Sequence, residues 1–491
     1  MLPVASNFSH KLSIEARTRV PSPMEGLNIY LHKKNLVFLA GGMPMAEFFP
    51  WDEITAKSPI PKEGSTIESM RLSANADVCI TSVRKSGSEF PGDIPLSRSL
   101  QYGATEGEHE LLSFIREHTR SFHNPKYSNW DVVATTGSTQ AWEATLRVFC
   151  NRGDSILVEY HSYTSPIYAA QAQGINVVHV PLDEEGIVPA ALEEKLRNWH
   201  HSLPFPKLLY IIPTGQNPTG STLGGERRKQ VYRIAQAFDL IIVEDEPYYF
   251  LQMDQFTTDV AKRKNRECLS HERFKELLVD SFLSMDTDGR VIRLESFSKI
   301  LSPGARLGWI VGSQDLLRTY IHFQELTVHS PSGFAQTMVA GLLNRWGHQG
   351  YTNWLIALRA EYSKRRDVVC DALLNHLPSN PAFRFMPPTA GMFFTVKIDA
   401  SCHPGFQQKY DGDPIAVEKM LFERFSDNGV LVVPSHWFKK IPEGPDKSRQ
   451  CENNAESAEI FFRGTYAAVD LNSLEQGVKA LSETLKSEFT L

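Results

Sequence analysis

Residues 293 to 309 read Arg293-Leu294-Glu295-Ser296-Phe297-Ser298-Lys299-Ile300-Leu301-Ser302-Pro303-Gly304-Ala305-Arg306-Leu307-Gly308-Trp309. In this segment Lys299 follows two serines and precedes a Pro-Gly turn, an arginine and a new apolar run. The serine hydroxyls and Arg306 can hold a phosphate, while the lysine amine can form a Schiff base. A strand that ends in a solvated lysine would read the same way, so the interpretation depends on further segments of the chain.

Size and charge limit the classes of protein that this chain can belong to. Its 491 residues are many for one domain and fit two lobes around a large core. An apolar share of 42% and a charged share of 22% are ordinary for a folded, water-soluble protein. The net charge of −6 argues against a nucleic-acid partner and against an acidic membrane surface.

The distribution of the cysteines indicates the cellular compartment of the protein and not a functional site. They are scattered without a Cys-x-x-Cys pair, which indicates reduced thiols in a cytoplasmic protein. No apolar run is long enough to span a bilayer, and the N-terminus shows no secretory pattern. Because His109, His118 and His123 lack ligand-like spacing, no metal is expected. The six cysteines are Cys79, Cys150, Cys268, Cys370, Cys402 and Cys451.

Alternating helical and strand-like segments predict an α/β fold. The runs 208–212 and 240–243 are continuously apolar, as in strands that are buried on both faces of a parallel sheet. Helical spacing over 225–238 lies between them and completes a strand–helix–strand unit. Further helices are expected at 106–118 and 138–149, with Ser138 as a helix N-cap, and further strands at 131–134 and 155–159.

The chain is expected to divide into two domains and an arm. We predict an irregular N-terminal arm at 1–40, a large domain at 100–345 and a smaller domain built from 41–99 and 346–491. The charged segment 252–288, with a helix at 271–279, is predicted to be a surface insertion. Strands at 392–396 and 430–433 are predicted for the smaller domain.

Two carboxylates, Glu244 and Asp245, follow the apolar run 240–243 at the carboxyl end of that predicted strand. Ligands of open α/β sheets bind at this edge, and a buried carboxylate there can pair with a protonated pyridine nitrogen. Tyr248 follows three residues later and can hydrogen-bond a phenolate oxygen. A helix N-cap or a core salt bridge would explain an isolated aspartate equally well.

Two turns are predicted to meet the same crevice. The loop 213–220 presents the Asn217 amide, although Asn-Pro is also a common turn pair. The segment 136–140 opens a helix, and its N–H groups and the hydroxyls of Ser138 and Thr139 suit a phosphate. Taken alone, this second turn is an ordinary N-cap. Together with the hydroxyls and the arginine near Lys299, it would complete a phosphate cup.

Arg463 lies in an apolar context in the segment 461–466. A buried arginine needs an anionic partner, and a substrate carboxylate held by two parallel hydrogen bonds is one candidate. An internal salt bridge is the other. Together with Lys299, Asp245 and the phosphate cup, this arginine predicts an enzyme that uses pyridoxal 5'-phosphate (PLP).

The chain resembles the fold-type-I PLP-dependent aminotransferases, and among them the fungal aromatic amino acid aminotransferases and the kynurenine/2-aminoadipate aminotransferases. The resemblance runs from about Leu39 to Ala467. It rests on the motifs above and on Leu39-Ala40-Gly41-Gly42-Met43-Pro44, Gln101-Tyr102-Gly103 and residues 286–294. It implies a mainly parallel sheet sandwiched by helices in a large domain, plus a smaller α+β domain.

The resemblance also implies a role for each matching residue. Lys299 is expected to be the Schiff-base lysine, Asp245 the partner of the pyridine nitrogen, and Asn217 and Tyr248 the partners of the ring oxygen. Tyr163 is expected to stack on the ring, and Arg463 and Asn217 to bind the substrate α-carboxylate beside Gly42. The expected phosphate ligands are Ser138, Thr139, Ser296, Ser298, Arg306 and, across a homodimer, Tyr102. Close relatives often have Gln in place of Thr139.

The implied reaction is transamination of L-amino acids, most readily aromatic ones but also kynurenine or 2-aminoadipate, with 2-oxoglutarate or another 2-oxo acid as acceptor. Lys299 would be the general base, which requires a lowered pKa. An aromatic pocket wall is one interpretation of several residues, and core packing is the other. These residues are Phe48, Phe49, Trp51, Phe394, His436, Trp437 and Phe438.

Two other functions share some of these motifs. A PLP-dependent lyase or synthase on the same fold would use the same lysine and aspartate. A transcription regulator with an aminotransferase-like domain would need a DNA-reading helix pair ahead of that domain. Residues 1–40 are too short and too proline-broken for such a pair.

Overall fold

The computed structural model describes residues 2–20, 30, 33–37, 39–40, 42–71, 77–87, 90–199, 202–439 and 458–490. Cys451, and Gly41 of the motif that begins at Leu39, lie outside these ranges. Within them, no helix combines the length and the apolar character needed to cross a membrane.

The secondary structure of the described residues alternates strands and helices along most of the chain. The strands are β1 (Glu53–Pro59), β2 (Val78–Arg84), β3 (Trp130–Thr135), β4 (Ser155–Glu159), β5 (Asn176–Val180), β6 (Leu182–Asp183), β7 (Gly186–Ile187), β8 (Leu208–Ile211), β9 (Ile241–Asp245), β10 (Val291–Ser296), β11 (Gly308–Ser313), β12 (Phe383–Phe385), β13 (Phe393–Asp399), β14 (Val433–Pro434) and β15 (Glu459–Thr465). The helices are α1 (Ile14–Thr18), α2 (Leu96–Ser99), α3 (His109–Phe122), α4 (Ser138–Phe149), α5 (Thr164–Ala172), α6 (Pro189–Arg197), α7 (Gly225–Ala237), α8 (His271–Leu277), α9 (Phe282–Met285), α10 (Gln314–Glu325), α11 (Gly333–His376), α12 (Phe406–Tyr410), α13 (Pro414–Asp427) and α14 (Leu471–Glu488). Helix α11 is interrupted at Gly347, whose φ is 61°.

The central sheet has seven strands in the order β3-β11-β10-β9-β8-β4-β5. Strand β11 runs antiparallel to both of its neighbours, and every other neighbouring pair is parallel. All residues of β4, β8, β9 and β10 are buried, which explains the apolar runs 208–212 and 240–243 in the sequence, and β9 and β10 bury charged residues as well. The predicted fold, a mainly parallel sheet between helices, is confirmed.

A second sheet has four strands in the order β12-β13-β15-β14, antiparallel throughout. The predicted strand at 392–396 begins one residue later, at Phe393. The strand predicted at 430–433 is wrong in its extent, because β14 pairs with β15 only at Val433 and Pro434. Leu431 is 75% exposed and makes no strand pairing, so an apolar run was mistaken for a buried strand there.

Two predicted helices differ from the observed ones at their ends. Helix α3 begins at His109 rather than at Glu106, whose carbonyl instead accepts the Ala134 N–H. Helix α8 ends at Leu277, two residues before the predicted end. The charged segment around α8 also enters the core, because Phe274 and Phe282 are fully buried.

Buried charges lie beneath the carboxyl end of the sheet. Arg293 Nη1 lies 3.0 Å from Glu244 Oε2, and Arg293 Nε donates to Glu295 Oε1 at 2.7 Å. Arg228 Nη1 lies 3.2 Å from Glu246 Oε1. None of these five side chains is more than 2% exposed. Although burial opposes it, the charge of Arg293 keeps the pKa of Glu295 below its usual range.

Arg293→Met is expected to lower the free energy of unfolding by about 3–5 kcal/mol, because it leaves two carboxylates buried without that counter-charge. Urea denaturation of the purified protein measures the change. Arg318→Met is the matched control, since Arg318 forms an exposed pair with Asp315, and should cost less than about 1 kcal/mol. An Arg293→Met chain as stable as this control would contradict the prediction.

Candidate active site

The candidate site is built at the carboxyl ends of four neighbouring strands. In the order β10, β9, β8 and β4, these strands are hydrogen-bonded in parallel, so the residues that follow them meet at one edge of the sheet. Lys299 follows β10, Asp245 ends β9, Asn217 follows β8 and Tyr163 follows β4. The strand–helix–strand unit in the sequence predicted that Asn217 and Asp245 share this edge, whereas the places of Lys299 and Tyr163 beside them were expected from the other motifs and the resemblance.

Lys299 lies in a tight turn directly after β10. The Phe297 carbonyl accepts the N–H groups of Ile300, Leu301 and Ser302 at 3.3, 2.8 and 3.1 Å, which closes the turn around the lysine. The side chain is half-buried, and no carboxylate of the described residues forms an ion pair with it. Burial, aided by the charge of Arg306, lowers the pKa of Lys299. A lysine in these surroundings is suited to act as a nucleophile or a base.

Asp245 keeps one carboxylate oxygen free. Its Oδ2 accepts a hydrogen bond from the Tyr210 hydroxyl at 2.6 Å, whereas Oδ1 is buried without a partner in the described part of the chain. Burial raises the pKa of Asp245 to about 6, against the opposing effects of Tyr210 and Arg293. A buried acceptor in this state requires a donor, and a protonated ring nitrogen would supply one.

The predicted phosphate cup is assembled from two segments that are far apart in sequence. Ser296 Oγ donates to Ser298 Oγ at 2.8 Å and accepts the Ser298 N–H at 3.1 Å. Arg306 lies 3.4 Å from Ser298 Oγ through Nη1, and its Nη2 donates to the Thr136 carbonyl at 3.2 Å. The arginine therefore lies between the segment of Lys299 and the start of α4.

The N-cap of α4 is Gly137, so the prediction of Ser138 as the N-cap is wrong. Gly137 has a φ of 100°, and a Cβ there would lie 2.9 Å from Arg306 Nη2. The chain must turn tightly past the arginine, and this places Ser138 in the first turn of the helix. The Ser138 hydroxyl is buried without a hydrogen-bond partner among the described residues, whereas Thr139 is exposed.

Arg463 and Asn217 form the opposite side of the site. Arg463 Nη1 donates to Asn217 Oδ1 at 2.7 Å, and the guanidinium lies over the rings of Phe393 at 4.4 Å and Phe438 at 5.0 Å. Its Nε is buried without a partner, and no described carboxylate forms an ion pair with it. Burial lowers the pKa of Arg463. The structure therefore gives the internal salt bridge no support among the described residues.

Two tyrosines complete the interior of the site. Tyr248 is 5% exposed and lies edge-on to Phe393, with 5.8 Å between ring centroids. Burial, followed by the negative charge of Asp245, raises the pKa of Tyr248, so this phenol is a hydrogen-bond donor at neutral pH. Tyr163 is partly buried at the start of α5, close enough to Tyr248 and Arg463 to act on both electrostatically.

Tyr102 and Gly42 lie apart from this cluster. The Tyr102 side chain is 68% exposed, and its nearest described ring neighbour is His329, at 5.6 Å. Gly42 is exposed, with open space around the position of a Cβ. Gln101 joins the two segments by donating Nε2 to the Pro44 carbonyl at 2.8 Å. Within the described part of one chain, no hydrogen bond or ring contact links them to Lys299.

The residues proposed for an aromatic wall differ in where the structure places them. Phe438 is buried over Arg463 and belongs to the site. Phe394 is core, because its ring fills the space beside Gly464, where a Cβ would lie 2.2 Å from the ring. Trp51 packs edge-on against Phe334 at 5.0 Å and is still 45% exposed. The others face outward or bond elsewhere: Phe48 is 74% exposed, Trp437 is 47% exposed and His436 pairs with Glu418.

Sequence reasoning missed the residues that support the loop of Asn217. Arg228 Nη2 donates to Thr214 Oγ1 at 2.7 Å, and Thr214 Oγ1 donates to Glu246 Oε1 at 2.9 Å. On the other side of the loop, Gln216 Nε2 donates to Glu159 Oε2 at 3.1 Å, and burial raises the pKa of Glu159 to about 8. The sequence did carry one signal for this support, since Glu159 is a charged residue at the end of a buried strand.

These side chains fit pyridoxal phosphate on several points. Asp245 Oδ1 and Ser138 Oγ are buried polar atoms without a hydrogen-bond partner among the described residues, although the Ser138 side chain is near enough to Asp245 to lower its pKa. A ring N–H and a phosphate would supply the missing partners. Because Gly137 has no side chain, the Arg306 guanidinium can lie close to the N-terminus of α4, and both groups favour an anion. The amine of Lys299 has no counter-charge among the described residues.

A mainly parallel sheet with this set of side chains at its carboxyl edge is the architecture of the fold-type-I PLP-dependent transferases. The family model of aminotransferase class I and II matches residues 72–481. The chain therefore belongs to this family and is an aminotransferase, which confirms the predicted class of enzyme.

Three known proteins illustrate the similarity. An aromatic amino acid aminotransferase of Schizosaccharomyces pombe is 36% identical and aligns over 98% of this chain and 98% of its own. The crystal structure of aminotransferase Aro8 from Candida albicans is 45% identical, covers 100% of both chains and has a TM-score of 0.93. Kynurenine aminotransferase of Pyrococcus horikoshii, solved with PMP, is 27% identical, covers 97% of both chains and has a TM-score of 0.64.

Asp245→Asn is expected to stabilise the cofactor-free protein by roughly 1–3 kcal/mol at about pH 7.5, and by little near pH 4. The folded pKa of Asp245 is raised above that of the unfolded chain, so the folded state binds more protons and loses stability as pH rises from about 4 to about 6. Urea denaturation at several pH values measures the difference. Asp315→Asn, at an exposed position, is the control, and a variant no more stable than wild type at about pH 7.5 would contradict the prediction.

Proposed function

We propose that this aminotransferase moves the amino group of an L-amino acid, most readily an aromatic one, to 2-oxoglutarate or another 2-oxo acid, with PLP bound at Lys299. The observation that carries the proposal is Arg463, a partly buried cation that has an amide and two aromatic rings as neighbours but no described carboxylate. Both an amino acid and an oxo acid bring the α-carboxylate that such an arginine requires.

The cofactor site follows from the atoms that lack partners. In this proposal Asp245 Oδ1 accepts the ring N–H, Asn217 and Tyr248 hydrogen-bond the ring oxygen, and Tyr163 packs on the ring. The phosphate is held by Ser138, Thr139, Ser296, Ser298 and Arg306. When bound, the cofactor supplies an electron sink for the charge that develops at Cα.

Lys299 is proposed to carry the proton. Once its amine is free, Nζ would take the proton from the substrate Cα and hold it, which requires a neutral amine. Burial and Arg306 favour that neutral form by lowering the pKa of Lys299. Because the turn closed by the Phe297 carbonyl fixes the backbone of Lys299, the place of the amine depends on the rotation of its side chain.

The preference for aromatic substrates is supported by the rings around Arg463. Phe393 and Phe438 flank the guanidinium, and Tyr248 lies edge-on to Phe393. Rings that hold the arginine also offer edges and faces to a side chain bound beside it. The Schizosaccharomyces pombe relative is named for aromatic amino acids and the Pyrococcus horikoshii enzyme for kynurenine, so these are the first substrates to test, followed by 2-aminoadipate.

A homodimer with shared active sites is part of the proposal. Among the described residues, the ring of Tyr102 contacts that of His329 and makes no contact with the site, and it is 68% exposed, as is expected of a residue that reaches the phosphate in a second copy. Exposed apolar side chains lie in the same region of the chain sequence, among them Met45, Phe48 and Trp51. Gly42 would lie beside the substrate carboxylate once the two copies meet.

The domain division and the compartment are proposed on the same basis. The large domain, 100–345, would carry the cofactor residues, and the smaller one, 41–99 and 346–491, would contribute Arg463, with 1–40 as an arm and 252–288 as an insertion. A cytoplasmic location is supported by the cysteines, because the five that the structure describes are free thiols.

The first test is an absorbance spectrum of the purified holoenzyme before and after L-phenylalanine is added without an oxo acid. The band of lysine-bound PLP is expected to convert to the pyridoxamine form, and 2-oxoglutarate should restore it. A PLP band that phenylalanine leaves unchanged would rule out this substrate. Product formation without any oxo acid would indicate a lyase or synthase. Absence of the band after PLP is added would overturn the role of Lys299.

Arg463→Lys is expected to raise the KM for both the amino acid and the oxo acid by about tenfold or more, because lysine cannot make the two parallel hydrogen bonds of a guanidinium. Steady-state kinetics with each substrate varied in turn measure the change. PLP affinity should stay within about twofold of wild type. Arg384→Lys, at a surface ion pair with Glu459, is the control. A change in only one of the two KM values would refute the shared carboxylate site.

A further inference from the structure

Trp354 on α11 forms a hydrogen bond to the backbone beside Lys299. Its indole Nε1 donates to the carbonyl oxygen of Ile300 at 2.6 Å, across 54 residues of sequence. Ile300 is 3% exposed, so its carbonyl would otherwise be a buried acceptor without a partner. No other hydrogen bond to this oxygen is present in the described part of the chain.

The hydrogen bond from the indole reaches the C-terminal side of the turn that carries Lys299. On the N-terminal side, the Phe297 carbonyl accepts three N–H groups, and the Phe297 ring packs against Trp309 with centroids 4.8 Å apart. On the C-terminal side, the peptide between Ile300 and Leu301 donates its N–H to the Phe297 carbonyl, and its own carbonyl oxygen accepts the indole N–H. The indole therefore adds a second hydrogen bond, from a different element, to a peptide one residue beyond Lys299.

The indole of Trp354 is itself held on the side away from the lysine. It packs against Trp346 with ring centroids 5.5 Å apart and an interplanar angle of 35°. Trp346 in turn donates its Nε1 to the Pro59 carbonyl at 2.9 Å. Both tryptophans are partly buried against the core, so the pair forms a fixed support rather than a mobile side chain.

We propose that Trp354 is a positioning residue for Lys299: its indole N–H fixes the carbonyl that follows the lysine and thereby sets the direction from which the amine meets cofactor and substrate. The inference rests on the proposed role of Lys299. Lysine has a long flexible side chain, so the backbone that carries it must be well defined if its Nζ is to reach one proton position reproducibly. Phenylalanine would serve for packing alone, whereas only a ring with an N–H satisfies the Ile300 carbonyl.

The test compares Trp354→Phe with Trp346→Phe. Each variant keeps an aromatic ring in the pair and loses one indole hydrogen bond to a backbone carbonyl, and only the first of these carbonyls adjoins Lys299. The measurements on each holoenzyme are the pH titration of the visible band of lysine-bound PLP, kcat and KM for phenylalanine, and the thermal midpoint.

Trp354→Phe is expected to shift the titration midpoint by about 0.3 pH units or more and to lower kcat by about three- to tenfold, while the KM for phenylalanine stays within about twofold. Trp346→Phe is expected to lower the thermal midpoint by a similar amount but to leave the titration and kcat unchanged. Trp354→His restores a ring N–H and should recover part of the lost kcat.

A Trp354→Phe titration that superimposes on that of wild type would overturn the proposal, as would an equal shift in Trp346→Phe. If Trp354→Phe does not fold, Trp354→His and Trp346→His are compared by the same measurements, and equal effects of these two would overturn it. Failure of the proposed function is distinguishable, because it would be seen in the wild-type enzyme as the absence of a PLP band or of transamination. Failure of the inference alone leaves the wild-type enzyme active.

Discussion

The alternation of side chains along β9 is the constraint on which the site depends. Glu244 and Asp245 are neighbours in a strand whose residues are all buried, so their carboxylates point to opposite faces of the sheet. Glu244 meets Arg293 at 3.0 Å and accepts the Phe282 N–H at the start of α9. Asp245 is thereby left on the other face, where its Oδ1 has no partner among the described residues. One carboxylate anchors the sheet, and the other is available for chemistry.

The two buried arginines extend this anchor to both reactive loops. Arg293 belongs to β10, which leads directly into the turn of Lys299. Arg228 reaches from α7 to Thr214 and the Pro213 carbonyl, which belong to the loop that carries Asn217. That loop also approaches the segment before β13 closely, since a Cβ at Gly215 would lie 2.6 Å from Gly391 Cα. Buried ion pairs add little net stability when they are complete, but they define one arrangement of the groups attached to them.

Much of this architecture could be predicted because it follows from burial. The bounds of β4 are those read from the segment 155–159, and the strand–helix–strand unit over 208–243 placed Asn217 and Asp245 at one edge. The N-cap of α4 could not be read, because the position of Gly137 depends on Arg306, 169 residues later in the chain. Tyr210 was missed as the partner of Asp245, since a tyrosine in a buried strand looks like packing until its neighbour is known. The roles of Tyr102 and Gly42 depend on a second copy of the chain and stay predictions.

The proposed role of Arg463 would explain how one site serves two substrates in turn. A partly buried guanidinium without a counter-ion among the described residues is unfavourable, and the rings of Phe393 and Phe438 with the Asn217 amide offset only part of that penalty. Binding of any α-carboxylate at this arginine, as proposed, would remove the remainder, whichever amino or oxo acid carries it. The energetic gain therefore comes from the group that both substrates share. Selection between substrates is left to the contacts of their side chains, which lie beyond the arginine and are free to differ among relatives with the same cofactor site.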